Sequence, residues 1–440
     1  MTSMLESHRA GAGPTALPPR APAPHASPRL LAGPQPERGA ESFAEHRERL
    51  GARPTGGDWM IEVLERSGLR GRGGGWFPAG RKWRAVSDHV EERPALVVVN
   101  ASEGEPLSAK DRTLALHRPH LILDGAQVAA ESVGAEGIVI YLSSPSRPLV
   151  RALHRSLRER RDAGVREVPV RVVRTAHRYV AGESSAVVRR LNGGPSKPGF
   201  APPYPSERGV GGRPTLVHNA ETIANTALVA RFGDAWFRAR GTAGAPGTAL
   251  VTLSGSVRHP GVYEIDVGTP LVDAIGLAGG VAGATAGVLV GGYAGTWIAP
   301  AAVAHLRLTP DEVALGCGVL GVLGGHGCGL SESARIADYL ARQSAGQCGP
   351  CVHGLRAIAD AMLRIAASDA NPGDLERVRR WALQVTGRGG CHHPDGAIHN
   401  VVSALEAFPD HLALHLRGMP CHGWADGALP PPPRSTPGWR

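Results

Sequence analysis

The chain has 440 residues, 42% hydrophobic and 20% charged, with a formal charge of +9; that length supports about three ordinary domains, and the apolar share excludes a chain disordered throughout. Only 5% of residues are aromatic, while 59 Gly and 37 Pro mark a loop-rich protein whose function is expected on its loops. The positive balance favours acidic partners, but no nucleic-acid motif accompanies it, so nucleic acid is not an expected partner.

Residues 1–45 are dominated by Ala, Pro, Gly and Arg and lack the apolar core of a signal peptide. The expectation is a disordered tail, with a transit peptide as the alternative. A short amphipathic helix at 59–67 then runs into "SGLRGRGGGWFPAGRKW", residues 67–83. Gly at that density is incompatible with a helix or strand interior and predicts a loop whose backbone approaches something closely. Its successive N–H groups beside Arg70, Arg72, Arg81 and Lys82 suit a phosphate or an extended cofactor, with a structural turn as the alternative. Gly71-x-Gly73 lacks a third Gly at Trp76 and no Gly-Lys-Ser/Thr follows, so neither a dinucleotide fingerprint nor a Walker loop is present.

The apolar run Ala95–Asn100 predicts a buried strand that opens into "NASEGEPLSAKDR", residues 100–112. Asn100, Glu103 and Glu105 then emerge at the carboxyl end of a parallel strand, where open α/β sheets bind ligands. The alternative is a solvated acidic loop paired with Lys110 and Arg112. Helices at 119–133 and 148–163 alternate with strands at 137–142 and 168–173, the pattern of a largely parallel sheet covered by helices. Between Arg147 and Arg178 ten Arg stand against Glu159, Asp162 and Glu167. That run reads as a solvated helix face followed by a strand, or as a docking patch. Gly182 and Glu183 in "YVAGESS" precede a helix start, as ligand contacts or simple capping, and Asn219 and Glu221 lie in a loop-to-helix transition.

Beyond Gly241 the texture changes to a small β-rich module: two short strands around a Pro-Gly turn, then a short helix ending at Gly279-Gly280. The uncharged run 274–306 holds eight Gly, which argues for a folded segment and against direct membrane insertion. Helices are expected at 331–342, 351–367, 373–386 and 397–405, and a Pro-rich tail closes the chain. All six Cys fall in the last third, unlike a disulfide scaffold, which points to a reducing, cytoplasmic compartment. Cys348 and Cys351 form a CxxC pair and Cys391 follows; with His353, His392 or His393 this spacing accommodates zinc as well as an iron–sulfur cluster. Cys317, Cys328 and Cys421 read as small buried apolar residues, Cys421 being open to recruitment.

Taken in order, "SGLRGRGGGWFPAGRKW", "NASEGEPLSAKDR", "YVAGESSA", "APPYP", "PTLVHNAET", "SGSVRHPGVYEIDVGTPL" and "GQCGPCVHG" give residues 55–420 a close resemblance to one family. It is that of the flavin-carrying, NADH-oxidising subunit of respiratory complex I and the related diaphorase subunits of NAD-linked hydrogenases and formate dehydrogenases. The resemblance implies an α/β architecture: a Rossmann-like FMN domain (46–241), a small β-grasp module of the soluble-ligand-binding type (246–308), and a C-terminal helical bundle with an iron–sulfur site (309–425). It implies FMN contacts from Gly71, Gly73, Gly74, Gly75, Lys82, Asn100, Glu103, Gly182, Glu183 and Asn219, and a nicotinamide pocket with Phe77 and Glu105 as catalytic elements. The implied activity is hydride transfer from NAD(P)H to FMN, then single-electron transfer through the cluster to a ferredoxin-like or quinone-reductase partner, for which the basic run would suit docking. The rival reading is a non-catalytic interaction or assembly protein that keeps the fold with a degenerate NADH site and zinc or no metal.

This chain departs from the family pattern at Trp76 (Gly in the family), Ala85 (aromatic), Ser102 (Asp), Ser184 (acid), Ala201 (Lys) and His218 (Asn). Most of these changes fall on the nucleotide side, so retained FMN binding and weak NADH binding are expected. Ala345 stands where the family places its first cluster Cys. Cys348, Cys351 and Cys391 then imply a [3Fe–4S] cluster, or a [4Fe–4S] cluster with a non-Cys fourth ligand.

Overall fold

Short β-branched runs build the first sheet of this computed structural model, which describes residues 27–35, 38–90, 93–143, 147–421, 423, 429–432 and 438–439. Strands β1 (Ala95–Ala101), β2 (Ala135–Ser143), β3 (Val170–Thr175) and β4 (Thr215–Asn219) lie in the order β3-β2-β1-β4, all parallel. The register sets Asn100 of β1 beside Asn219 of β4 at the carboxyl edge. On one face the helices Pro119–Ser132 and Ala220–Arg238 meet so closely that a Cβ on Gly125 would lie 1.9 Å from the Ile223 carbonyl oxygen. Under them Asp124 gathers His46 Nε2 at 2.8 Å, Arg160 at 2.7 Å and Arg231. Arg160, one of the ten Arg read as a solvated face or patch, is therefore a core residue, whereas Arg151, Arg155, Arg158 and Arg161 on the same helix are exposed.

The disordered tail expected for 1–45 lies outside the described residues as far as 26. Residues 27–45 depart from it: the N–H groups of Arg29, Leu30 and Leu31 donate to the Glu264 carboxylate, Leu30 is fully buried, and a helix begins at Phe43. Glu264 draws them in because its carboxylate, one oxygen of which accepts from the Thr248 hydroxyl at 2.6 Å, needs donors for the other. The Pro-rich tail, 426–440, lies largely outside the described residues.

The second sheet contains β5 (Thr248–Gly255), β6 (Gly261–Asp266), β7 (Thr285–Val290), β8 (Thr296–Ile298) and β9 (Val319–Gly324), in the order β6-β5-β9-β7-β8. β9 pairs parallel to β5 and antiparallel to β7, so this module reaches past 308 to about residue 324. Its sequence, Val-Leu-Gly-Val-Leu-Gly, is buried on both faces and lacks the alternation that marks a half-exposed strand. The helices Gly329–Arg342, Arg356–Ala366, Asp374–Val385, His393–Ala407 and Pro409–Leu416 form the third layer. A π-helical turn, Pro350–Leu355, carries Cys351 into the second of them. Among the described residues no helix is long and apolar enough to cross a membrane.

Candidate functional site

The Gly-rich loop is pinned at its neck, where Gly71 N donates to the Phe77 carbonyl and Ala79 N to the Leu69 carbonyl, both at 2.8 Å. A Cβ on Gly73 would stand 3.2 Å from Asn219 Cβ, so the loop lies directly against the end of β4, while nothing lies within 4 Å of one on Gly75. Trp76 takes a left-handed φ of 49° and donates its indole N–H to the Gly316 carbonyl at 3.0 Å, with Arg72 over its ring. Its ring is packed against the core of the second module.

Lys82 sits behind this loop. Its ammonium donates to the Val217 carbonyl at 2.8 Å, and burial, opposed by Glu183, lowers its pKa to about 8. That bond uses one of three donors, so the buried cation has capacity for an anion. Neighbouring His218 is held neutral by burial and then by Lys82, and its Nε2 has no hydrogen-bond partner. Asn219 caps the helix Ala220–Arg238, accepts from Lys110 at 3.3 Å and donates to Asp111, whose N–H in turn donates to Glu103 at 3.0 Å. Asn100 reaches the Gly182 carbonyl at 2.7 Å, and Glu183 caps the helix Ser184–Leu191 through Ser185 N and Ala186 N. The contacts thus join Gly73, Asn219 and Glu103 into one cradle at the carboxyl edge, with Asn100 and Gly182 beside them. Spare ammonium donors, an unpartnered imidazole nitrogen and an open Gly75 fit a phosphorylated planar cofactor such as FMN.

Glu105 contradicts the solvated-loop alternative. It is buried, accepting from Tyr293 N at 2.9 Å, Leu107 N at 3.3 Å and the Tyr179 hydroxyl at 3.3 Å, yet burial overrides these bonds and pushes it up to about 7. Gly292 makes room for it: a Cβ there would lie 2.6 Å from the carboxyl carbon. Phe77 is 51% exposed, its ring faced by Arg81.

In the third layer, Cys348, Cys351 and Cys391 line one cavity with Ala345 and His393. Burial, then the Cys348 and Cys391 thiols, push Cys351 up to about 12, which reports three sulfurs sharing one space. Zinc binds thiolate at about 2.3 Å, which sets tetrahedral sulfurs about 3.8 Å apart. Among the described residues the three ligand atoms that lie within 4.8 Å of one another belong to a different group, Cys328, His415 and Cys421. The cavity trio is not such a group, so the single-ion spacing is not met there. Of the three histidines weighed from sequence, His353 and His392 are exposed. His393 is buried, places Nε2 2.9 Å from the Leu340 carbonyl, and leaves Nδ1 without a partner. A helix starting at 393, four residues before the expected start, puts His393 in phase with buried Ala397, Val401 and Ala404.

Residues 64–228 match the Nuo51 FMN-binding domain, 250–290 the SLBB domain, and 332–415 the NADH-ubiquinone oxidoreductase-F iron–sulfur binding region. The second F subunit of NADH-quinone oxidoreductase in Rhizobium meliloti (strain 1021) is 30% identical over 83% of this chain and 90% of its own length. The corresponding F subunit of Rhodobacter capsulatus is 31% identical over 81% and 87%. An NAD+-reducing [NiFe]-hydrogenase crystallised in the H2-reduced state superposes with a TM-score of 0.76 at 32% identity, over 82% of this chain and 62% of the hydrogenase chain.

Proposed function

Because the chain belongs to the family of NADH-quinone oxidoreductase F subunits, we propose that it is a flavo-iron–sulfur electron-transfer subunit. In this reading it takes two electrons as hydride from a reduced nicotinamide nucleotide and delivers them singly to a redox partner. FMN, when bound, supplies the conversion from two-electron to one-electron chemistry. The Gly71–Gly75 backbone and Lys82 would hold its anionic end, with Asn100, Glu103, Gly182, Glu183 and Asn219 around the remainder. Phe77 and Glu105 would flank the nicotinamide. Cys348, Cys351 and Cys391 would hold the cluster, and His393 Nδ1 would take the place that Ala345 leaves open, its ring oriented through Leu340.

The observation that carries this reading is the cavity lined together by Cys348, Cys351, Cys391 and His393, whose buried Nδ1 has no hydrogen-bond partner. Lys82 and Glu105, whose pKa values burial moves toward neutrality, also favour a functional site over the non-catalytic alternative. The partner is another redox protein, ferredoxin-like or quinone-reducing, and the exposed Arg151, Arg155, Arg158 and Arg161 suit an acidic one. Six free cysteines suit a reducing compartment. Anaerobic purification should yield flavin, iron and acid-labile sulfide, and NADH should bleach the flavin. Absence of both flavin and sulfide refutes the proposal. Ala345→Cys should move the electron-paramagnetic-resonance signature toward a four-Cys [4Fe–4S] centre, and His393→Ala should alter the wild-type signal; no change in either counts against the ligand assignment.

A further inference from the structure

Far from the cysteine cavity that follows the end of the helix Gly329–Arg342, Cys421 returns to the start of that helix, where Cys328 is the cap residue. His415 Nε2 lies 3.6 Å from Cys328 Sγ and 3.4 Å from Cys421 Sγ, and the three atoms all fall within 4.8 Å of one another. From sequence, Cys328 and Cys421 read as small apolar residues, with Cys421 open to recruitment. We propose that Cys328, His415 and Cys421 form a single-ion zinc site, completed by a turn of the nearby His411 ring, that clips the C-terminal segment to the base of the bundle.

Three features carry the assignment. The first is spacing: with Zn–S about 2.3 Å and Zn–N about 2.05 Å, a tetrahedral angle separates S and N by about 3.6 Å. The second is a count of donors and acceptors. His415 Nδ1 is 3.1 Å from Ser368 Oγ, and with its hydrogen directed there Nε2 presents one lone pair to two sulfurs. One lone pair accepts one S–H, so the two thiols compete for it, whereas a cation at their centre engages all three ligand atoms at once. The third is a further donor close by, outside the group of three atoms. His411 lies four residues before His415, on the same face of the helix Pro409–Leu416. Its imidazole bears on the Cys328 thiol, and its buried Nδ1 has no hydrogen-bond partner.

Binding Zn2+ would release one proton from each thiol, and the two thiolates would balance the dication. The resulting clip spans residues 328 to 421 and so encloses Cys348, Cys351 and Cys391. The chain beyond it is already pressed onto the loop before Cys328, since a Cβ on Gly423 would lie 1.8 Å from the His326 carbonyl oxygen.

The test is metal analysis of the full-length protein, purified under reducing conditions without chelator. About one zinc per chain is expected alongside undiminished iron, in keeping with a closed structural site. Cys421→Ser and His415→Gln should each lose that zinc while keeping iron and labile sulfide, which separates this site from the cluster cavity. Cobalt offered to wild-type protein after zinc removal should give thiolate-to-metal charge-transfer and tetrahedral d–d bands, a readout that does not depend on either variant folding. The proposal is overturned if wild-type protein takes up neither zinc nor cobalt, if zinc content is unchanged in both variants, or if peptide mapping finds Cys328 and Cys421 joined as a disulfide.

Discussion

Replacing Glu105 by Gln should change how stability depends on pH. Burial raises the Glu105 carboxyl from 4.5 to about 7, despite three hydrogen bonds. Between those values the folded chain holds a proton that the unfolded chain has released, so stability falls as pH rises through the window. At about 1.4 kcal/mol per pH unit, the loss between pH about 5 and pH about 8 comes to roughly 2.5 kcal/mol. Gln is isosteric and does not titrate; its oxygen can accept from Tyr293 N while its amide faces the Tyr179 hydroxyl, which can turn to accept. Urea unfolding of both proteins at the two pH values isolates the effect, because every other titrating group cancels in the difference of differences. The variant should gain roughly 2.5 kcal/mol on wild type between the lower and the higher pH. Parallel pH curves would show that Glu105 is ionised normally in the folded protein and would remove the argument that it is an unusual carboxyl.

Lys82→Met keeps the buried stem but removes the charge, and should weaken flavin binding by roughly 10- to 100-fold, measured by fluorescence on release; wild-type affinity would show that Lys82 does not face the cofactor. Gly125→Ala places a methyl 1.9 Å from the Ile223 carbonyl oxygen and should lower the thermal transition by more than about 3 kcal/mol of stability. An unchanged melt would contradict the close approach of the two helices. Asp124→Asn leaves Arg160 and Arg231 buried with a neutral partner, and should cost about 3–5 kcal/mol in denaturant unfolding. A cost under about 1 kcal/mol would indicate that water reaches that network.

The parallel sheet was legible because β1 and β2 are dense apolar runs bounded by turn residues, and helices such as Arg147–Asp162 carry a strong apolar stripe. The helix Ala220–Arg238 was seen only at its start, since Ala, Thr and Asn on its buried side give little hydrophobic contrast. Strand β9 and the helix Pro409–Leu416 escaped notice, the first for want of alternation and the second because it is short and follows directly on the helix His393–Ala407. Local motif chemistry pointed to the Gly loop and to the acidic segment. What it could not supply was environment: Glu105 becomes an unusual carboxyl only through Gly292 and Tyr293, the latter 188 residues further on. Likewise His393 differs from His392 by which side of a helix it occupies, and Cys328 meets His415 across 87 residues.

The central place of β9 also governs the order in which the protein is made. While residues up to 318 emerge from the ribosome, β5–β6 and β7–β8 are two separate hairpin-like pairs, each with an open edge, and only the six residues of β9 unite them. Four residues, 325–328, then lead from that strand into the first helix of the bundle. The second sheet is thus completed just before the cysteine-bearing layer begins to form. A recombinant fragment ending at 308, the boundary that the family resemblance implies, would present unpaired strand edges and should aggregate, whereas one ending just past 324 keeps the sheet whole.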